Sequence, residues 1–248
     1  MSDPVLKDPM RITWDDRLAE ASRDSLREAN AALMRLSDSR AIEINISGPL
    51  LRSKLAWKAF VYRHGLQHRV VGLADAVALC WNGRNTLGAF LGARAQIETI
   101  SLLHALQLQL MKTLENSDLG ALNQFLDNAT FATRDPALVA EYPELQAKGI
   151  LSAIDRFDKE LTGVRGHYDR LSERCHPNAL GHVGMFSRLD HSSGTVSFRQ
   201  ERDAQANAQS MLAGYLLIQI AEIKLSSIDE LVIQISDLHS RLHPVAGL

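Results

Sequence analysis

The chain has 248 residues, 46% of them hydrophobic, and its 29 acidic and 27 basic side chains leave a formal charge of −2 at pH 7. That length and apolar content suffice for one large domain with a real core, which excludes wholesale disorder, and the near-neutral balance excludes a global field drawing the protein to nucleic acid or an anionic membrane. Two cysteines without paired spacing, Cys80 and Cys175, and no apolar N-terminal leader exclude a secreted disulfide scaffold and a Cys-rich zinc module, so a cytoplasmic location is expected.

Residues 1–12, with Pro4 and Pro9, read as a flexible lead-in whose ordering depends on packing elsewhere; residues 13–248 read as one helical domain. Thr13 and Asp16 have capping-box spacing, with Asp in place of Glu. Leu18, Ser22, Leu26, Ala29, Leu33 and Leu36 then recur at threes and fours, predicting an amphipathic helix over 14–36. Ile42, Ile44 and Ile46 alternate with polar residues, but the run is too short for a sheet and reads as a connector. From Pro49, the residues Leu51, Leu55, Trp57, Phe60 and Val61 predict a helix that stops at Gly65, followed by a second over 66–81.

Asn82-Gly83 signals a turn, and about thirty proline-free residues over 86–115 predict the long central helix. Further helices are expected over 118–130 and 143–161, with Pro143 in a first turn and Gly163 as a C-terminal cap. A short one follows over 164–175, aligning Val164, Tyr168, Leu171 and Cys175 on one face until Pro177 ends it. The glycines at 181, 184 and 194 and the alternation between them predict a β-hairpin near 184–200, within an insertion at about 178–201. Helical spacing returns over 203–242. Its most apolar run, 211–223, is broken by Gln219 and Glu222 and is shorter than the roughly 20 residues a membrane span requires, so no membrane partner is expected. The fold class expected is all-α: a single helical bundle with long central helices and one small inserted β-hairpin.

The densest group of reactive side chains lies at 167–177, with two arginines and two histidines in its first ten residues. Arg170 and Arg174 are four apart, on a helix face away from the apolar stripe, where their guanidinium forks can converge on a phosphate. Pro177 pushes His176 out of helical geometry, a position from which its imidazole can swing toward Arg170. Histidine exchanges protons near neutral pH and arginine does not, so their division of labour is acid–base and electrostatic. The plainer reading is that both arginines pair with Asp169, Glu173 or the helix end, and that His176 caps it.

Arg170, five intervening residues and His176 resemble the arginine–histidine motif of HEPN-type domains, helical bundles that include many metal-independent endoribonucleases. The wider phrase, with Tyr168, Leu171, Ser172, His176 and Pro177 set after a long helix bearing Arg94 and Glu98, is similar to a bacterial family of unassigned function grouped near them. The likeness covers residues 50–240 in architecture and about a dozen in motif; Leu171 stands where ribonuclease members commonly carry a polar residue. The resemblance implies RNA as partner, His176 assisting 2'-hydroxyl attack, Arg170 stabilising the phosphorane, and no metal or other cofactor. It also implies a homodimer facing two motifs across one cleft, in a toxin or phage-defence setting with an antitoxin or other protein partner. Pairing would gather four arginines and two histidines, reconciling a near-neutral chain with a polyanionic substrate. The rival expectation is a non-catalytic helical interaction module.

Arg94 and Glu98 stand one turn apart, placed either to orient the motif or to form an ion pair worth under about 1 kcal/mol. Tyr168, Ser172 and Arg174 join them as candidate binding or supporting residues. His64 with His68 and His239 with His243 share helical spacing, but Gly65 interrupts the first pair, neither has a His-Glu-x-x-His pattern, and no third ligand is near; no metal is expected. Cys175 and Cys80 fall on apolar faces as structural thiols. Residues 181–184 lack the ending and context of a phosphate loop.

Overall fold

The computed structural model describes residues 6–147, 149–199 and 203–244. Among them, the helices are α1 (Arg23–Asp38), α2 (Lys54–Asn82), α3 (Thr86–Asn116), α4 (Leu119–Phe131), α5 (Pro136–Glu141), α6 (Leu151–Glu160), α7 (Val164–Cys175), α8 (Ala204–Tyr215) and α9 (Ile218–Leu242). Strands β1 (Ser187–Asp190) and β2 (Thr195–Phe198) pair antiparallel, with Leu189 opposite Val196. The all-α bundle with one small hairpin is thus the architecture of the chain.

Helix α3 is buried on nearly every turn, through Phe90, Ile97, Ile100, Leu103, Leu106 and Leu110, because apolar or small residues occupy more than one of its faces. A turn over 83–85 folds it back along α2, whose first turn is capped by the Ser53 hydroxyl accepting from the Ala56 amide at 3.1 Å. Helix α9 packs on both, and α6, α7 and α8 lie against α3. Gly214 permits a close approach: a Cβ there would stand 2.6 Å from the Ala93 carbonyl oxygen, so α8 meets α3 backbone to backbone. By length and hydropathy 204–242 passes for a membrane span, yet 56% of its most apolar window is buried inside the bundle, as a core element requires.

Four expectations are corrected. Helix α1 begins at Arg23, after a 3-10 turn at Glu20–Ser22, and not at 14. The Asp15 carboxylate accepts from the Arg17 amide and guanidinium, and Arg17 is drawn into the core over the Trp81 ring at 3.8 Å, a contact 64 residues away in sequence that overrides local capping. The end of the lead-in is ordered by packing: Asn82 accepts from the Thr13 amide at 2.9 Å and donates to the Arg11 carbonyl at 2.8 Å, while Asn30 bonds both backbone groups of Ile12.

Helix α2 runs unbroken through Gly65, because a mid-helix glycine costs only about 1 kcal/mol and burial of Leu55, Ala59, Leu66, Val70 and Val77 exceeds that. The span 143–161 is not one helix. It holds a 3-10 turn at Pro143–Leu145, a bridge from Gln146 to Thr133, and then α6, where Ile154 and Phe157 supply buried anchors that the described residues among 143–149 lack. Lastly, 203–242 divides at Leu216 and Leu217 into α8 and α9.

Candidate functional site

Helix α7 docks on α3 through Val164, Tyr168 and Leu171, and a polar seam runs between the two helices. The Tyr168 hydroxyl accepts from Arg94 Nη2 at 3.1 Å and donates to Glu98 Oε1 at 3.0 Å, and Arg94 Nε lies 3.4 Å from the same carboxylate oxygen. One tyrosine thus closes the Arg94–Glu98 pair into a triangle, and none of its members bonds to Arg170 or His176. The Ser172 hydroxyl is shielded from water with no hydrogen-bond partner. The Cys175 thiol is pushed up by burial, as a packed structural thiol should be. Tyr168→Phe is expected to lower stability by about 1 kcal/mol, a fall of about 2–4 °C in melting temperature, because Arg94 and Glu98 keep each other when the hydroxyl goes. Differential scanning calorimetry checks this.

Arg170 and Arg174 do not converge. The exposed Arg170 reaches back one turn, its Nη2 donating to His167 Nδ1 at 2.7 Å, whereas the half-buried Arg174 lies 5.9 Å from the centroid of the Phe90 ring on α3. Since arginine has no acceptor, His167 Nδ1 carries the lone pair; burial, then the Arg170 charge, holds this imidazole below its ordinary pKa and keeps it neutral. The neighbouring carboxylates make their hydrogen bonds elsewhere: Asp169 with the Arg165 guanidinium at 2.9 Å and Glu173 with the neutral Asn178 amide at 2.6 Å. Arg165 also takes Asp155 at 2.5 Å. Among the described residues no carboxylate pairs with Arg170 or Arg174.

His176 takes the extended conformation expected before proline, with φ −82° and ψ 146°, and is exposed; no hydrogen bond or ion pair joins it to Arg170. The next turns are tightly fixed. Asn178 accepts from the amides of Leu180 and Gly181, and a Cβ on Gly181 would fall 2.0 Å from the His176 carbonyl oxygen, so only glycine can close the chain over the end of α7. Gly181 therefore serves backbone packing.

Two buried polar clusters were not singled out from the sequence. Lys224, 3% exposed, directs its ammonium to Glu160 Oε1 at 2.7 Å, Gln107 Oε1 at 3.0 Å and His104 Nδ1 at 3.1 Å. The signal was available: Lys224 falls on the apolar stripe of Ile218, Ala221, Leu225 and Ile228. Between α2 and α9, Arg63 bonds Asp229 at 2.6 Å, His64 Nδ1 at 3.3 Å and Gln67. The histidine pairs part company: His68 Nε2 meets the Ala41 carbonyl, while His239 Nδ1 meets the Ser53 hydroxyl with the His243 ring 5.2 Å away. Among the described residues no three His, Cys, Asp or Glu side chains gather as a metal set.

Neither protein-family models nor curated proteins nor solved structures give a match to this chain, so the functional reading rests on the side chains of α7 and its C-terminal end.

Proposed function

We propose that the chain is a HEPN-like RNA-binding protein that works as a homodimer and cleaves RNA without a metal, with Arg170 and His176 as the reactive pair. The observation that carries this reading is charge: Arg170 is exposed, its one bonded partner is a neutral imidazole, and both neighbouring acids are committed elsewhere. A guanidinium on a helix face with no carboxylate hydrogen-bonded to it has its planar fork available for bidentate contact with a phosphate, and Arg174 adds a second positive charge one turn on.

In the reaction, the RNA 2'-hydroxyl attacks the adjacent phosphorus while His176 takes its proton. The new bond to the 2'-oxygen forms as the bond to the 5'-oxygen breaks, Arg170 offsets the phosphorane charge, and the second copy's imidazole returns a proton to the leaving oxygen. The products are a 2',3'-cyclic phosphate and a 5'-hydroxyl. Pairing of copies is supported by the hairpin, which leaves Leu189, Val196 and Phe198 exposed, Phe198 by 78%, on a two-stranded unit too small to be stable alone. A cytoplasmic toxin or phage-defence role, with an antitoxin or other protein partner, completes the proposal and rests on the resemblance.

The second reading, a non-catalytic interaction module, is favoured by the choice Arg170 makes of His167 over His176. Cleavage of end-labelled mixed RNA in the presence of chelator separates the two. Wild type is expected to leave cyclic phosphate ends, and His176→Ala to lose at least about a hundredfold in rate with an unchanged melting temperature, since the exposed imidazole supports no other group. If wild-type protein neither binds nor cleaves RNA, the ribonuclease reading fails and the interaction module stands.

A further inference from the structure

Away from α7, a cleft of about 550 Å3 opens between α2 and the C-terminal end of α4, walled by Trp57, Val61, Tyr62, Leu66 and Phe131. Its volume is that of a small-molecule site, and its apolar walls face water: Phe131 is 59% exposed and Val61 38%. The polar groups at its rim differ in their commitments. Lys58 and Asp127 neutralise each other at 2.7 Å, with Asn123 taking a further bond from Lys58 at 2.9 Å. Arg69, by contrast, spends only Nε, on the Thr99 hydroxyl at 3.0 Å, and no carboxylate pairs with it among the described residues.

Gly65 lies in the same wall, in mid-helix. A Cβ there would meet nothing within 4 Å, so packing within the protein does not demand glycine, and an alanine would favour the helix by about 1 kcal/mol. What the missing side chain leaves is open space in the cleft.

We propose that this cleft binds an aromatic carboxylic acid, its ring system against Tyr62 and Phe131 and its carboxylate on the Arg69 guanidinium. The aromatic walls select a flat body, and a guanidinium with no carboxylate partner selects a monoanion. The site is separate from the α7 surface, and its fate does not depend on ribonuclease activity.

Isothermal titration calorimetry with 2-naphthoate tests it on the full chain, with 2-methoxynaphthalene as the ligand lacking charge. Wild type is expected to bind the acid more tightly than the uncharged ligand. Arg69→Gln should weaken the acid about tenfold and leave the uncharged ligand unchanged. Gly65→Leu, which fills the cleft while raising helix propensity, should abolish binding and keep or raise the melting temperature. The proposal is overturned if wild type does not take up the acid at millimolar concentration, or if Gly65→Leu binds it undiminished. It is equally overturned if sedimentation shows self-association that Gly65→Leu removes, which would make a second copy the occupant.

Discussion

Replacing Lys224 by alanine is expected to cost the fold about 3 kcal/mol, or roughly 6–12 °C in melting temperature. The ammonium has three donors, and Glu160, Gln107 and His104 accept one each, so the buried charge is saturated. The same geometry fixes His104: its Nδ1 accepts from lysine, and burial, then the Lys224 charge, lowers its pKa, so the 3.2 Å approach of Glu160 is to a neutral ring and is not an ion pair. Truncation leaves His104 and Gln107 unpaired and a cavity beside Phe157, whose ring centre lies 5.4 Å from the ammonium. Because Glu160 is half exposed and regains water, the cost stays at the lower end for a broken buried pair. Lys224→Met keeps the apolar stem and is expected to recover about half the loss. Urea unfolding of the three proteins measures both differences, and an alanine variant within about 1 kcal/mol of wild type would show that the cluster is already wet.

Acidification from pH 7 to pH 4 is expected to remove a comparable amount at His64. Burial strips its imidazolium of water, and the nearby Arg63 and His68 charges add to this, pushing the native pKa down to about 4. The contact itself explains the direction: Nδ1 accepts from Arg63 at 3.3 Å, and a proton there sets donor against donor. The unfolded chain takes up the proton near 6.5, so the contribution is fully present above that pH and is lost as pH falls through about 4; the gap is worth about 3 kcal/mol. His104 and His167, also lowered, add in the same sense. Asp229, raised by burial, has the opposite sign: its share is full below the unfolded carboxylate pKa and falls as pH rises through its native value. His64→Asn keeps an acceptor near Nδ1 and cannot titrate. Urea unfolding free energies at pH 7 and 4.5 should show a shallower acid loss in the variant, and equal losses would place the acid sensitivity elsewhere.

Much of the bundle was legible because its signals are local. Helix α3 was expected over 86–115 and spans Thr86–Asn116, α7 lies between Gly163 and Pro177 as expected, and the hairpin falls inside its predicted window. Each is bounded by residues that act on their own backbone: a turn dipeptide, a proline, a glycine. The start of α1 was not legible, because the residue that decides it, Arg17, answers to Trp81. Gly65 and the 143–161 span misled for a related reason: a stop signal or a helical pattern yields when burial on one side outweighs it, or when no burial supports it.

The candidate site divides along the same line. The sequence by itself determined that α7 carries Tyr168 and Leu171 inward and Arg170 outward, and that His176 leaves the helix before Pro177, since periodicity and proline geometry act within one turn. Helical spacing alone left Arg170 and Arg174 free to meet Asp169, Glu173, His167 or each other. The three-dimensional structure decided among them, with Asp169 going to Arg165 and Glu173 to Asn178 within the local segment, and with the Phe90 ring of α3 meeting Arg174 as the tertiary contact. A long charged side chain reaches several partners of similar energy, and which one it takes depends on what the rest of the fold has already claimed.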